Sequence, residues 1–313
     1  MGEARVLREA ATVADLAQRY LAEHVAKLAE ATTQKDYRSV LANDVLPILS
    51  KKKVAAVEPE DIERLHAAIS KRAPVRANRA LAITASMFGK AVKWKLRPDN
   101  PCKGATRNRE RPRKRYLSPE ELKRLSAALA TDPNQETADV FRMLLLSGAR
   151  RGEVLTARWS QIDIRQGWWT KPADATKQRQ EHRVPLSAAL RALLAERLKR
   201  RVGATPWVFP GHDDGPRVDL KYAWKRVCKT AGIVGLTIHD LRHSHASFLV
   251  SAGFSLPTIG ALLGHSAPAT TARYAHLLDD PLRKATEAVG SIIMSKSAAE
   301  SADVVPFDKR GRH

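Results

Sequence analysis

The sequence is poor in cysteine, has no long apolar run and is short of acid relative to base. Its two cysteines, Cys102 and Cys228, lie far apart and outside any CxxC pair, so they read as free thiols in a reducing compartment. No stretch approaches the roughly 18 apolar residues of a membrane span. The N-terminus has no apolar signal core. A soluble, cytoplasmic protein is expected. Asp and Glu total 33 against 54 Lys and Arg, a net charge of +21. That imbalance points to a polyanionic partner, most simply nucleic acid, with an anionic membrane surface as the alternative. What is present is an ordinary globular balance, 43% hydrophobic and 28% charged, over 313 residues. That length supports two domains with real cores.

Residues 11–97 read as helical. Thr12 caps a first helix, with Asp15 three residues later and a stripe of Val13, Leu16, Ala17, Tyr20 and Val25. A second helix starts near Thr32 and passes Tyr37 and Val40, and Asn43, Asp44 and Pro47 are expected to end it. A third spans 61–70 and a fourth 75–94. Residues 98–117 form a basic, proline-bearing linker containing RNRERPRKR, a composition that stays extended. From 118 the pattern returns to helices at 121–130 and 136–147. Residues 162–186 read as β-strands around a polar turn. Helices follow at 187–201 and 220–231, and another at 281–289 precedes a small-residue tail, 291–313. The fold class is mainly α with a small antiparallel β-sheet.

The densest chemistry lies in residues 238–277. His239 and Arg242 are three apart and share a helix face. Gly253 and Gly264 suit helix ends, and Pro257 suits a first turn. The stretch therefore reads as helix, turn, helix ending at Gly264-His265, then a third helix carrying Thr271, Arg273 and Tyr274. An arginine grips phosphate with a planar fork, histidine exchanges protons near neutrality, and tyrosine can be a covalent nucleophile. The set suggests phosphoryl transfer through a phosphotyrosine. The bland alternative is core helices with polar ends.

HDLRH at 239–243, LLGH at 262–265 and Tyr274 resemble the second half of the tyrosine recombinase (phage integrase) motif set. LLLSGARRGEVLTARWSQID, residues 144–163, resembles its first-arginine box, with SGAR where TGLR is commoner. The resemblance implies catalytic roles for Arg150, His239, Arg242 and His265, a nucleophilic Tyr274, and Glu153 as the acidic support of Arg150. It also implies a catalytic lysine on a hairpin between strands. Lys177, shortly before RVPL, is the better match and Lys171 the rival. The implied architecture is a SAM-like helical core-binding domain (11–97) and an α+β catalytic domain (118–290), closing on DNA as a C-shaped clamp. Candidate DNA contacts are Arg76, Arg79, Lys90 and Lys93, then Arg113, Lys114 and Arg115 of the linker, and Lys221 and Lys225. Residues 1–10 leave no room for the arm-binding domain that many such integrases carry, so either the protein lacks it or this chain is a shortened form, and Val304, Val305 and Phe307 are candidate anchors for a neighbouring subunit, with a disordered tail as the alternative.

In the mechanism the resemblance implies, the two arginines and His265 stabilise phosphoryl oxygens. His239 accepts the Tyr274 proton, Lys177 protonates the departing 5′-oxygen, and a 3′-phosphotyrosine forms. Neither metal nor other cofactor is expected. Expected partners are double-stranded attachment-site DNA, three further copies of the chain on synapsed duplexes (the free protein being monomeric), and accessory DNA-bending proteins. The expected location is the cytoplasm of a bacterium, on the nucleoid. Rival readings are a type IB topoisomerase, a DNA-binding protein without catalysis, and a zinc site from His239, His243 and His245.

Overall fold

A computed structural model of the chain describes residues 11–110, 115–173, 176, 180–201, 203–211, 215–277 and 279–300. The chain divides into two compact units, Met1–Arg113 and Lys114–His313.

The first unit is helical, as its apolar periodicity requires. Helix α1 (Val13–Glu23) opens on a reciprocal cap. The Asp15 amide donates to Thr12 Oγ1 at 3.2 Å, and the Thr12 amide donates to the Asp15 carboxylate at 2.9 Å. Helix α2 (Ala31–Val40) is not ended by Asn43, Asp44 and Pro47. A π-helical turn, Leu41–Val45, carries it into α3 (Leu46–Leu49), where Pro47 occupies the first turn. The π turn accommodates the proline, because the Leu46 amide bonds five residues back to the Leu41 carbonyl and Pro47 has no amide of its own to place. Asp44, inside this turn, is buried and accepts from both Arg72 and Arg76. Helices α4 (Pro59–Ser70) and α5 (Pro74–Lys93) complete a core around Tyr20, Ile62, Leu65, Met87 and Phe88.

The second unit begins with α6 (Pro119–Ala130), capped by Ser118, and α7 (Gln135–Ser147), which Gly148 ends in the left-handed conformation at φ 61°. A short α8 (Arg151–Leu155) follows. Strands β1 (Ile162–Asp163), β2 (Trp168–Lys171) and β3 (His182–Pro185) form an antiparallel sheet in the order β1-β2-β3, Trp169 facing Val184. Trp169 is fully buried, so the sheet's inner face belongs to the core. Helices α9 (Ala188–Lys199) and α10 (Lys221–Thr230) pack round Phe141, Leu194, Phe209 and Trp224.

Helices α11 (Ile238–Ser251), α12 (Leu256–Leu263) and α13 (Pro268–Ala272) follow in the expected order. Arg273 and Tyr274 lie just past the end of α13 rather than within it. The last helix, α14 (Asp279–Glu300), runs beyond the expected end at 289. Residues 291–300, SIIMSKSAAE, contain no proline and enough Ala, Met, Lys and Glu to continue a helix. Val304, Val305 and Phe307 fall outside the described residues. Among the described residues no helix is long and apolar enough to cross a membrane.

The second core makes a stability prediction. Phe141 has no exposed surface, and truncation leaves a cavity beside Trp224, whose ring lies 4.9 Å away. Phe141→Ala should cost about 3–5 kcal/mol, read as a lowered urea midpoint followed by tryptophan fluorescence.

Candidate active site

Two glycine turns build the site. The left-handed cap at Gly148 turns the chain so that Arg150 becomes the cap residue of α8. Gly264, at φ 66°, ends α12 and presents His265 in the same way. Side chains larger than hydrogen have no room at either position. A Cβ on Gly148 would sit 2.5 Å from the His245 ring, and one on Gly264 would sit 2.8 Å from the His182 ring.

The two arginines reach across to these turns. Arg242, 5% exposed, donates from Nη1 to the Gly148 carbonyl and from Nη2 to the Leu263 carbonyl, each at 2.8 Å. Arg150 donates from Nη2 to the Gly264 carbonyl at 3.3 Å and from Nη1 to Glu153 at 2.8 Å. Each guanidinium is thus fixed to the backbone beside the other motif. Burial, and then the Arg150 charge, bring the Arg242 guanidinium down to about 10.

Glu153 is the acid that answers this charge. It is buried and accepts from both Arg150 and Lys171, the latter at 2.8 Å with both side chains buried. Burial pushes its carboxyl up, but Lys171 and Arg150 outweigh that and hold it below its usual value. Burial lowers Lys171, with Glu153 acting against the shift. Lys171 is therefore not an exposed hairpin lysine. It ends strand β2 and points inward at Glu153, a role that sequence reasoning missed. Its own signal was its place next to Trp169 in the alternating run WWTK, which puts every second side chain on the core face. Lys177 lies outside the described residues.

Arg150, His239, Arg242, His265 and Tyr274 line one cavity of about 530 Å³, together with His243, Ser266, Thr270 and Arg273. His265 Nδ1 lies 2.8 Å from Thr271 Oγ1, which orients the ring. Burial and the nearby Arg242 and Arg150 charges bring His265 down to about 4, so it is neutral near pH 7. Burial also lowers His239, with Arg242 adding to the effect. Tyr274 is 5% exposed, and burial raises its phenol, partly opposed by Arg273 and Arg242. Its oxygen lies 2.6 Å from His243 Nδ1. The sequence reading gave the tyrosine's proton to His239. The hydrogen bond runs to His243, one helical turn further on the same face, a choice that spacing alone does not make.

His239, His243 and His245 do not converge as a zinc site would require. His243 turns its Nδ1 to Tyr274 and His245 its Nδ1 to the Leu145 carbonyl. Among the described residues no group of three or more His, Cys, Asp or Glu side chains is placed to hold a metal ion.

The proposed DNA contacts divide into distinct environments. Arg76 and Arg79 are tied to acids of their own unit, Arg76 to Asp36 and Asp44 and Arg79 to Asp36. Arg115 grips both oxygens of Glu121, holding that carboxyl down to about 2. For these three the charge is largely answered within the chain, which the sequence could not show because the partners are up to 43 residues distant. Lys93, Lys221 and Lys225 are exposed and Lys90 is half-buried, while Arg113 and Lys114 lie outside the described residues.

The buried Glu153–Lys171 pair carries a prediction. Lys171→Met strands a buried carboxylate between one arginine and an apolar chain and should destabilise the protein by about 3–5 kcal/mol. Adding Glu153→Gln should recover much of that loss. Urea midpoints of the single and double variants read both effects. As the Glu153 pKa is lower folded than unfolded, its contribution is complete above the unfolded value, about 4.3, and fades as pH falls through the folded one.

Residues 115–280 match the phage integrase family, and residues 13–108 match the phage integrase central domain. The integrase of Salmonella phage P22 is 31% identical over 194 residues, covering 57% of this chain and 48% of that protein. Prophage integrase IntZ of Escherichia coli (strain K12) is 28% identical over 180 residues, covering 56% and 44%. The chain spans about half the length of these curated relatives. The solved structure of the Tn1549 transposon integrase in complex with a circular intermediate DNA superposes with a TM-score of 0.72 at 18% identity, covering 88% of this chain and 99% of that one. At that identity the likeness is one of fold, mainly helical with a small antiparallel sheet. With residues 115–280 matched, more than half of its length, the chain belongs to the phage integrase family.

Proposed function

We propose that the chain is a site-specific DNA recombinase that cuts and rejoins strands through a 3′-phosphotyrosine, integrating or excising a prophage or genomic island. The observation that carries this is the convergence of Arg150, Arg242, His265 and Tyr274 on one cavity. A phosphodiester is an anion that resists attack, and attack adds charge to its nonbridging oxygens. Arg150 and Arg242 would bind those oxygens and stabilise the added charge, with His265 donating a further hydrogen bond. Tyr274 Oη would form the bond to phosphorus. Lys177 remains the candidate acid for the 5′-oxygen. The bond energy is kept in the covalent link, so the reverse attack by a partner strand's 5′-hydroxyl needs no energy source.

In this reading residues 11–97 serve as the core-binding domain, 98–117 as linker and 118–290 as the catalytic domain. The substrates are duplex attachment sites. Recombination cuts four strands, so the working assembly is four copies on two duplexes, with accessory DNA-bending proteins as further partners. Such an enzyme works in the cytoplasm, on the nucleoid. Exposed Lys93, Lys221 and Lys225 are available for phosphates, and the excess of 54 basic over 33 acidic residues favours a polyanion.

A nicked suicide duplex carrying the junction sequence of the encoding element, incubated in EDTA, tests this. Wild type should form a covalent protein–DNA adduct and Tyr274→Phe none. Arg150→Ala and Arg242→Ala should each slow the adduct by about 10²–10³-fold. An adduct that survives Tyr274→Phe would assign the nucleophile elsewhere. Duplex binding with no adduct would leave a DNA-binding protein without catalysis.

A further inference from the structure

Resting on that reading, we propose that His243 is the catalytic base that takes the phenolic proton of Tyr274 as the tyrosine attacks phosphorus. The 2.6 Å contact between His243 Nδ1 and Tyr274 Oη carries this proposal. Both side chains line the cavity that holds Arg150 and Arg242. Tyr274 is 5% exposed, so bulk water is poorly placed to accept its proton. A neutral imidazole protonated at Nε2 presents the Nδ1 lone pair to the phenol. The His239 ring meets the His243 ring edge-on, with centroids 4.8 Å apart and planes at 84°, and limits its rotation.

The surroundings make this base respond to substrate. His239, Asp240 and Arg242 face it from α11, and Arg273, Tyr274 and His265 from the segments packed against that helix. Burial, then the histidine and arginine charges, bring His243 down to about 4, so its acceptor form is already complete near pH 7. In the free protein it is too weak to ionise Tyr274, whose phenol burial has raised. A phosphodiester seated on Arg150 and Arg242 adds a negative charge that offsets those cations. His243 then becomes more basic only when the scissile phosphate is in place.

The step balances as follows. The Tyr274 Oη–P bond forms and the P–O5′ bond breaks. The phenolic proton passes to His243 Nδ1. The leaving 5′-oxygen takes a proton from an acid on the opposite side of phosphorus, Lys177 being the candidate. In rejoining, the 5′-hydroxyl attacks, the acid site recovers its proton, and His243 returns its own to Tyr274.

The experiment is single-turnover adduct formation on the nicked suicide duplex from pH 6 to 9, comparing wild type, His243→Gln, His239→Gln and His243→Gly with added imidazole. Gel shift on the same duplex and thermal unfolding confirm that each variant binds and folds. His243→Gln keeps a hydrogen-bonding amide but accepts no proton. It should lower the adduct rate by about 10²–10⁴-fold and make it rise more steeply with pH than wild type, as hydroxide replaces the base. Imidazole should speed His243→Gly about tenfold or more. His243→Gln within about threefold of wild type, with the same pH profile, would reduce His243 to positioning the phenol and overturn the proposal. A large loss and altered pH profile in His239→Gln alone would move the role to His239. Should His243→Gln fail to fold, the response of the glycine variant to imidazole decides: acceleration supports the base, and its absence overturns it. Absence of an adduct in wild type would bring down the recombinase reading itself, whereas the outcomes above bear on His243 alone.

Discussion

The site depends on an exchange of backbone hydrogen bonds between two sequence motifs that lie far apart in the chain. Arg242 of α11 donates to Gly148, which precedes Arg150, and Arg150 donates to Gly264, which precedes His265. Arg242 makes both of these bonds to carbonyls, whereas Arg150 divides its guanidinium between the Gly264 carbonyl and the Glu153 carboxylate. The carbonyls they use belong to left-handed glycine turns, where the carbonyl at a helix end is released from helical pairing. The glycines therefore do two things at once. Gly148 lets α11 and α12 approach the end of α7, Gly264 lets His182 of β3 approach the end of α12, and both supply acceptors that register one arginine against the other.

Such an arrangement concentrates positive charge in a partly closed space, and buried acids offset part of it. Glu153 is the buried acid that binds Arg150, and Lys171 in turn holds Glu153 from the sheet side. This makes a line from β2 through Glu153 to Arg150. Asp240 accepts from Thr237 at the start of α11, and its charge opposes the lowering of His239 and His243. Burial first, and then the neighbouring positive charges, hold Arg242, His243 and His265 below their usual values. In the proposed reaction an arriving phosphate diester meets those cations, a field already built into the folded protein rather than one assembled during reaction.

Much of this was legible in the sequence, and for identifiable reasons. Helix caps such as Thr12 with Asp15 and Ser118 with Glu121 are local, so their signals survive without tertiary context. The residues that gather at the cavity carry chemistry rare enough that their spacing speaks for them. What stayed hidden depended on contacts. Pro47 reads as a stop, yet the helix passes through it because the preceding π turn shifts the hydrogen-bond register. Lys171 reads as a loop lysine, and only its burial against Glu153 shows otherwise. Arg76 and Arg79 read as free cations, and only the fold reveals that Asp36 and Asp44 engage them. His243 and His239 occupy one helix face, and nothing in their spacing tells which one meets Tyr274.

The placement of Tyr274 connects packing to chemistry. It belongs not to the main core of its unit but to a small cluster with Ala246, Val250, Ile259 and Leu263. Its backbone follows the short α13 into a 3-10 turn, Ala275–Leu277, so no long helix fixes it. Segments held by few apolar contacts open at lower free energy than the core around Phe141 and Trp169. The arginines, by contrast, are anchored to α7, α8, α11 and α12. The two arginines are thus held by backbone and carboxylate hydrogen bonds, whereas Tyr274 rests on that small cluster and on its contact with His243. In the proposed reaction Tyr274 forms a covalent bond to phosphorus and later releases it, so it has to travel between two positions. In that reading Arg150 and Arg242 must not, because their value lies in staying where the charge will develop.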